Sequence, residues 1–341
     1  MIRFFTPGLG YEKIKPEVLG EIDRVLTAGD LILRKDVEAF EMNVAAYCGT
    51  KYAVALNSCT DALYLALRGL SIGQGDEVIV PSRTFVASAQ VIVQLGATPV
   101  FYDVGETVGH LVTSKTKAII PVHIEGHFDE NFEEILELSR NYGIPVIEDA
   151  AQAFGATYMG KKAGSFGLAG AFSFYPAKTL GAYGDAGALI TNDEEMYRYV
   201  KDARNHFKDD ARDWGVNSRL DNLQAAILNV KFKRYDKALD RRKEIAEMYD
   251  DGLLPTPLQL PPHTEGRIWQ DYIVRTPLRD ELYSYLKENG VETMKNNYPF
   301  PVAKKPNAQK YEDETLRLPC NENLEDKEVK YVIETIRKFY E

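Results

Sequence analysis

From about Lys51 to Asn192, short runs rich in Val and Ile alternate with stretches whose apolar residues recur at helical spacing. Tyr52-Ala-Val-Ala-Leu precedes Thr60 to Leu70, and Glu77-Val-Ile-Val precedes Ala87 to Leu95. Thr98-Pro-Val-Phe-Tyr, Ala118-Ile-Ile-Pro-Val and Ile144-Pro-Val-Ile continue the series around a helix-like Asn131 to Tyr142. Unbroken apolar strands joined by amphipathic helices predict an α/β fold with a mostly parallel central sheet between helices. Such sheets bind ligands at the carboxyl ends of their strands. Ser218 to Glu247 reads as long charged helix, with Leu220, Leu223, Ala226 and Ile227 at helical spacing. A Pro-rich break follows at Leu254-Pro-Thr-Pro-Leu-Gln-Leu-Pro-Pro. Beyond it, strand-like Tyr272-Ile-Val-Arg and helix-like Arg279 to Glu288 predict a smaller C-terminal α+β domain. The large domain is expected over residues 1–250 and the small one over 251–341, with the boundary near 245–265.

Charge and cysteine usage narrow the partners. A net charge of -10 over 341 residues disfavours nucleic acid, whose affinity comes mostly from clustered Lys and Arg. Cys48, Cys59 and Cys320 form no paired spacing, so a disulfide framework is not expected. Pro7 and Gly8 interrupt the start before any apolar run of signal-peptide length, and no stretch approaches the roughly 20 apolar residues that cross a bilayer. A cytoplasmic location without membrane attachment is the expectation.

The densest chemistry lies between Ile144 and Asn192. Asp149 closes a buried apolar strand, where an ionised carboxylate is costly unless a cation or several donors meet it. Farther on, strand-like Ala171-Phe-Ser-Phe leads through Tyr175-Pro176-Ala177 to Lys178 and then to Gly181, Gly184 and Gly187. A lysine at a strand end beside glycines, away from any charged helical face, is placed to act as an amine nucleophile. Carboxylate and lysine together suit a pyridine-aldehyde cofactor: one keeps the ring nitrogen protonated, the other carries the aldehyde as an imine. Gly155-Ala-Thr-Tyr-Met-Gly160-Lys161 imitates a phosphate loop, but Lys162 stands where a Ser or Thr must reach magnesium. His123 and His127 flank Glu125 without a common helical face, so His123 reads as pocket lining and metal is not expected. No G-x-G-x-x-G follows a strand, against a dinucleotide-dependent oxidoreductase.

Asn57-Ser-Cys-Thr-Asp-Ala-Leu, Pro81-Ser-Arg-Thr-Phe-Val-Ala-Ser-Ala, Glu148-Asp-Ala-Ala-Gln, Phe172-Ser-Phe-Tyr-Pro-Ala-Lys and Asn217-Ser-Arg-Leu-Asp occur in that order. With them the chain resembles the DegT/DnrJ/EryC1/StrS sugar aminotransferases, of the aspartate aminotransferase fold type, over nearly its whole length. The resemblance implies pyridoxal 5'-phosphate (PLP) held as a Schiff base on Lys178, which also moves the proton of transamination. It implies Asp149 at the pyridine nitrogen, Gln152 at the ring hydroxyl, and Phe85 stacked on the ring. Ser173 and the backbone N–H groups of Thr60 and Asp61 would meet the phosphate, with Cys59 a small filler beside them. Asn217 would reach the phosphate of a neighbouring subunit, so a homodimer with shared sites is implied.

The same resemblance implies a nucleotide-linked (dTDP- or UDP-) keto-sugar as substrate and glutamate as amino donor. Thr60-Asp-Ala-Leu resembles the helix start of members that aminate C3, and C4 stays open; Asp61 could equally cap its own helix. His206, Arg219, Lys295 and Asn297 are candidates to meet the nucleotide sugar. The stretch Asp103 to Val112 is shorter than in relatives, and Asn296-Asn297-Tyr298-Pro299 lacks their usual His. Other readings are a dehydratase, which Lys178 opposes; a non-enzymatic regulator, which no basic patch supports; and a nucleotide-dependent transferase, which would need a complete phosphate loop.

Overall fold

The computed structural model describes residues 1–209, 211, 213–295 and 305–341. Along the chain run α1 (Pro7–Ala28), α2 (Lys35–Cys48), β1 (Tyr52–Leu56), α3 (Cys59–Gly69), β2 (Glu77–Pro81), α4 (Val86–Gln94), β3 (Thr98–Tyr102), β4 (Thr116–Ile119), α5 (Phe132–Tyr142) and β5 (Ile147–Asp149). A hairpin of β6 (Thr157–Tyr158) and β7 (Lys161–Lys162) precedes β8 (Ala169–Ser173), β9 (Gly187–Thr191), α6 (Glu194–Ala203), α7 (Asn222–Phe232) and α8 (Tyr235–Leu253). The C-terminal part adds β10 (Tyr272–Arg275), α9 (Arg279–Glu288), β11 (Met294–Lys295), α10 (Pro306–Glu314), β12 (Thr315–Leu318) and α11 (Asp326–Tyr340).

β1, β9, β8 and β5 pair in that order, as do β3, β2 and β4. Parallel bridges Ile119–Val146 and Val122–Asp149 join the two groups, giving one central sheet ordered β1-β9-β8-β5-β4-β2-β3. The predicted parallel sheet is present with one exception: β9 runs antiparallel to both β1 and β8. The apolar Gly187-Ala-Leu-Ile-Thr reads alike in either direction. Its direction follows from the short return through residues 174–186, where a parallel partner would need a long crossover. That return carries Lys178.

One apolar cluster joins α3, α4 and α6 to one face of the sheet through residues such as Leu63, Ile92, Ile147 and Leu189. A second joins α2 and α7 to the other face through Phe40, Phe172, Phe174 and Leu228. Covering both faces explains why the strands read as continuous apolar runs. β10, β12 and β11 form a separate antiparallel sheet. Its core includes Ile245, Tyr249 and Leu253 of α8, and also Ile2, whose backbone pairs with Val291. The small cluster thus draws in residues before 251. Among the described residues no helix is long and apolar enough to cross a membrane.

Candidate active site

Three neighbouring strand ends and two helix starts converge. At α3, Ser58 is the N-cap in extended conformation, and its Oγ accepts the Asp61 N–H at 3.1 Å. Cys59 and Thr60 fill the first turn, where helix N–H groups lack an intrahelical acceptor and are available to an anion. Gly187 opens β9 directly beneath them: a Cβ there would lie 2.3 Å from the Ser58 carbonyl carbon and 2.5 Å from the Cys59 nitrogen. Only glycine lets the strand approach this closely.

Asp149, at the end of β5, is 5% exposed. Ser88 Oγ donates to its Oδ2 at 2.6 Å, while the Ala151 N–H (3.1 Å) and the Cys59 thiol (3.8 Å) donate to Oδ1. These donors offset the cost of burying the charge. Ser88 lies in the first turn of α4 and also contacts Thr84 Oγ1 at 2.7 Å, next to Phe85. Phe85 is 57% exposed. Gln152, three residues past Asp149, accepts the Glu125 N–H on its Oε1 at 2.8 Å.

Lys178 follows β8 in a turn closed by its own N–H to the Tyr175 carbonyl at 2.8 Å. Burial holds its amine below the usual lysine range against the pull of Cys59, Asp271 and Asp149, and Arg317 adds to the lowering. A depressed lysine keeps more free amine near neutral pH. Burial also pushes the Cys59 thiol well above its usual value, with Asp149 adding to the effect and Lys178 opposing it. A thiol held in this way stays protonated and is a poor nucleophile. Ser173, two residues before Tyr175, accepts the Tyr175 N–H on its Oγ at 3.3 Å. Lys178 also lines a cavity of about 370 Å³ bounded by the N-terminal segment and α8.

The donor set fits PLP. A buried carboxylate would face the ring nitrogen, an amine of lowered basicity the aldehyde carbon, and the α3 start with Ser173 the phosphate.

Several expectations change. The Asp61 N–H, expected at the phosphate, is committed to Ser58, and the Asp61 carboxylate accepts from Ser218 Oγ at 2.7 Å. Ser218 Oγ in turn accepts the Asn57 N–H, so the segment holding Asn217 and Arg219 is tied to the α3 start of its own chain. Asn217 is exposed and bridges to Asn205, whose side chain accepts from Arg219 at 2.8 Å. His206 is exposed in left-handed conformation (φ 69°). Lys295, expected to meet the sugar, pairs with Asp280 at 2.6 Å and lies over the Tyr283 ring. Asn297 lies outside the described residues. His123 does not line a pocket: it is fully buried, its Nδ1 accepts the Asp129 N–H at 3.2 Å, and its Nε2–H donates to Glu148 at 3.0 Å. The false phosphate loop is the β6–β7 hairpin. Ser88 has no role in the sequence expectations, although it stands three residues past Phe85 at a helix start and meets Asp149.

Fold and site together define a PLP-dependent aminotransferase. The family model for the DegT/DnrJ/EryC1/StrS aminotransferase family matches residues 12–337, and the chain belongs to that family. It is 39% identical to the dTDP-3-amino-3,4,6-trideoxy-alpha-D-glucose transaminase of Streptomyces venezuelae, over 100% of this chain and 96% of that one. A Geobacillus stearothermophilus protein named pleiotropic regulatory protein is 38% identical over 97% of this chain and 96% of its own. Among solved structures, S. venezuelae DesV in complex with a ketimine intermediate superposes with a TM-score of 0.94 at 38% identity, over 100% of this chain and 98% of that one. The PLP-form of the putative sugar aminotransferase Spr1654 from Streptococcus pneumoniae gives 0.87 at 27% identity, over 95% of each chain.

Proposed function

We propose that the chain transfers an amino group from glutamate to C3 of a dTDP- or UDP-linked keto-sugar, as a cytoplasmic homodimer whose subunits share their active sites. The observation that supports this chemistry is the contact of Asp149 with Cys59 at the α3 start, two groups that also act electrostatically on buried Lys178. PLP, when bound, supplies the electron sink that lets a C–H bond beside the amino nitrogen ionise. Asp149, oriented by Ser88 and the Ala151 N–H, holds the positive ring nitrogen. Thr60 and Cys59 N–H groups with Ser173 anchor the phosphate. Lys178 Nζ removes the proton from the donor's α-carbon and delivers one to the sugar carbon, a role that its lowered basicity suits. Phe85 covers one face of the ring.

The sugar reading is supported by the named activity of the Streptomyces relative, a 3-amino sugar transaminase matched over 100% of this chain and 96% of its own. Free, buried Cys48, Cys59 and Cys320 agree with a reducing compartment. The regulator's name on one relative supports a second reading, but the intact lysine and carboxylate give that reading nothing to explain them. The test is a panel of dTDP- and UDP-linked 3-keto and 4-keto sugars with glutamate, read by mass spectrometry for the amino-sugar. Conversion of a 3-keto sugar is expected. Conversion of 4-keto sugars alone removes the C3 assignment, and conversion of none removes the sugar.

A further inference from the structure

Lys178 has four flexible carbons between backbone and amine, so only its backbone fixes where the amine starts from. The residues on either side of it are held by one side chain. Gln270 Nε2 donates to the Ala177 carbonyl at 3.0 Å, and Gln270 Oε1 accepts the Thr179 N–H at 3.3 Å. The amide is buried, 7% exposed, and comes from the segment entering β10, more than ninety residues away in the chain. Its own backbone is held in turn: Arg242 of α8 donates from Nη1 to the carbonyls of Trp269 and Gln270 at 3.2 Å each, and to that of Cys320 at 2.6 Å. Arg242 is buried and paired with Glu322 at 2.9 Å. Beyond the clamp, Thr179 Oγ1 contacts Tyr235 OH at 2.8 Å, and that hydroxyl donates to the Phe154 carbonyl.

We propose that Gln270 is a positioning residue for Lys178: its amide locks the peptide groups flanking the lysine and ties their position to the seat of β10 in the C-terminal sheet. The inference rests on Lys178 being the lysine that holds the cofactor. A two-point amide clamp fixes both position and rotation of the turn, which a single hydrogen bond does not. Displacement of a reacting group by about 1 Å costs on the order of a hundredfold in rate, so a clamp at this place governs turnover without touching substrate. The neighbouring Asp271 enters the Lys178 environment from the same segment, so release of the clamp alters the electrostatics of the amine as well as its position.

Gln270→Met keeps the volume and removes both hydrogen bonds; Gln270→Asn keeps the amide but is too short to span both partners. Three measurements separate the outcomes. Cofactor attachment is first mapped in the wild-type holoenzyme by borohydride reduction; attachment at a lysine other than 178 defeats the underlying assignment whatever Gln270 does. Lys178 of the cofactor-free protein is then acetylated across pH and its peptide quantified. With the turn released toward solvent, the labelling midpoint of both variants is expected to rise toward the ordinary lysine value of about 10.4. The holoenzymes should lose at least tenfold in the single-turnover rate with glutamate, with a smaller change in its KM. Wild-type labelling and turnover in Gln270→Met overturn the proposal, as does a fall in thermal midpoint in both variants with the Lys178 titration unmoved.

Discussion

The bond from Ser88 to Asp149 is the site's most informative single contact. At 2.6 Å it is a charge-assisted hydrogen bond to the carboxylate assigned to the ring nitrogen. Ser88→Ala leaves one carboxylate oxygen short of its donor at a cost of about 1.5 kcal/mol, which predicts roughly tenfold weaker PLP binding in an absorbance titration. An unchanged dissociation constant would mean that Asp149 is held without Ser88. Lys178 and Asp149 could be singled out in the sequence because each closes a local strand pattern and the two stand in one ordered set of motifs. Ser88 and Gln270 were not, since their partners lie 61 residues away in one case and 93 and 91 in the other. His123 differs from its pocket-lining expectation for the converse reason: a polar residue near a motif does not reveal that Glu148 already holds it.

Among the elements, the α3 start and β9 act together. The helix offers two open N–H groups, and Gly187 brings the strand against the backbone that carries them. Gly187→Ala places a methyl within 2.6 Å of three backbone atoms of Ser58 and Cys59, which only a shift of the helix start can relieve. Phosphate affinity should fall at least tenfold, measured as PLP or inorganic phosphate binding; binding equal to wild type would remove the helix start from the phosphate site. The alternation of strands and helices from 51 to 192 announced the sheet, but strand direction was hidden, because β9 is as apolar as its parallel neighbours. The stretch after β3 has a role that composition could not show. The Asp103 carboxylate accepts the N–H groups of Asn307 and Ala308 at 2.9 and 2.8 Å, capping α10 across the molecule.

At the scale of the whole molecule, the proposal of shared sites turns on Asn217, which is exposed in the single chain. If Asn217 serves the partner's phosphate, chains carrying Lys178→Ala and chains carrying Asn217→Ala are each inactive alone. Co-expressed at equal levels, half the dimers would be mixed and each would hold one intact site, so activity should recover to about a quarter of wild type. Recovery to none would place Asn217 in its own subunit's site. Every proposed role in the site depends on which amine carries the cofactor. Borohydride reduction of the PLP-loaded protein, followed by proteolysis and mass spectrometry, should find the pyridoxyl group on the peptide containing Lys178 and nowhere else. A stable, PLP-binding protein whose label falls on another lysine, or on none, would contradict it.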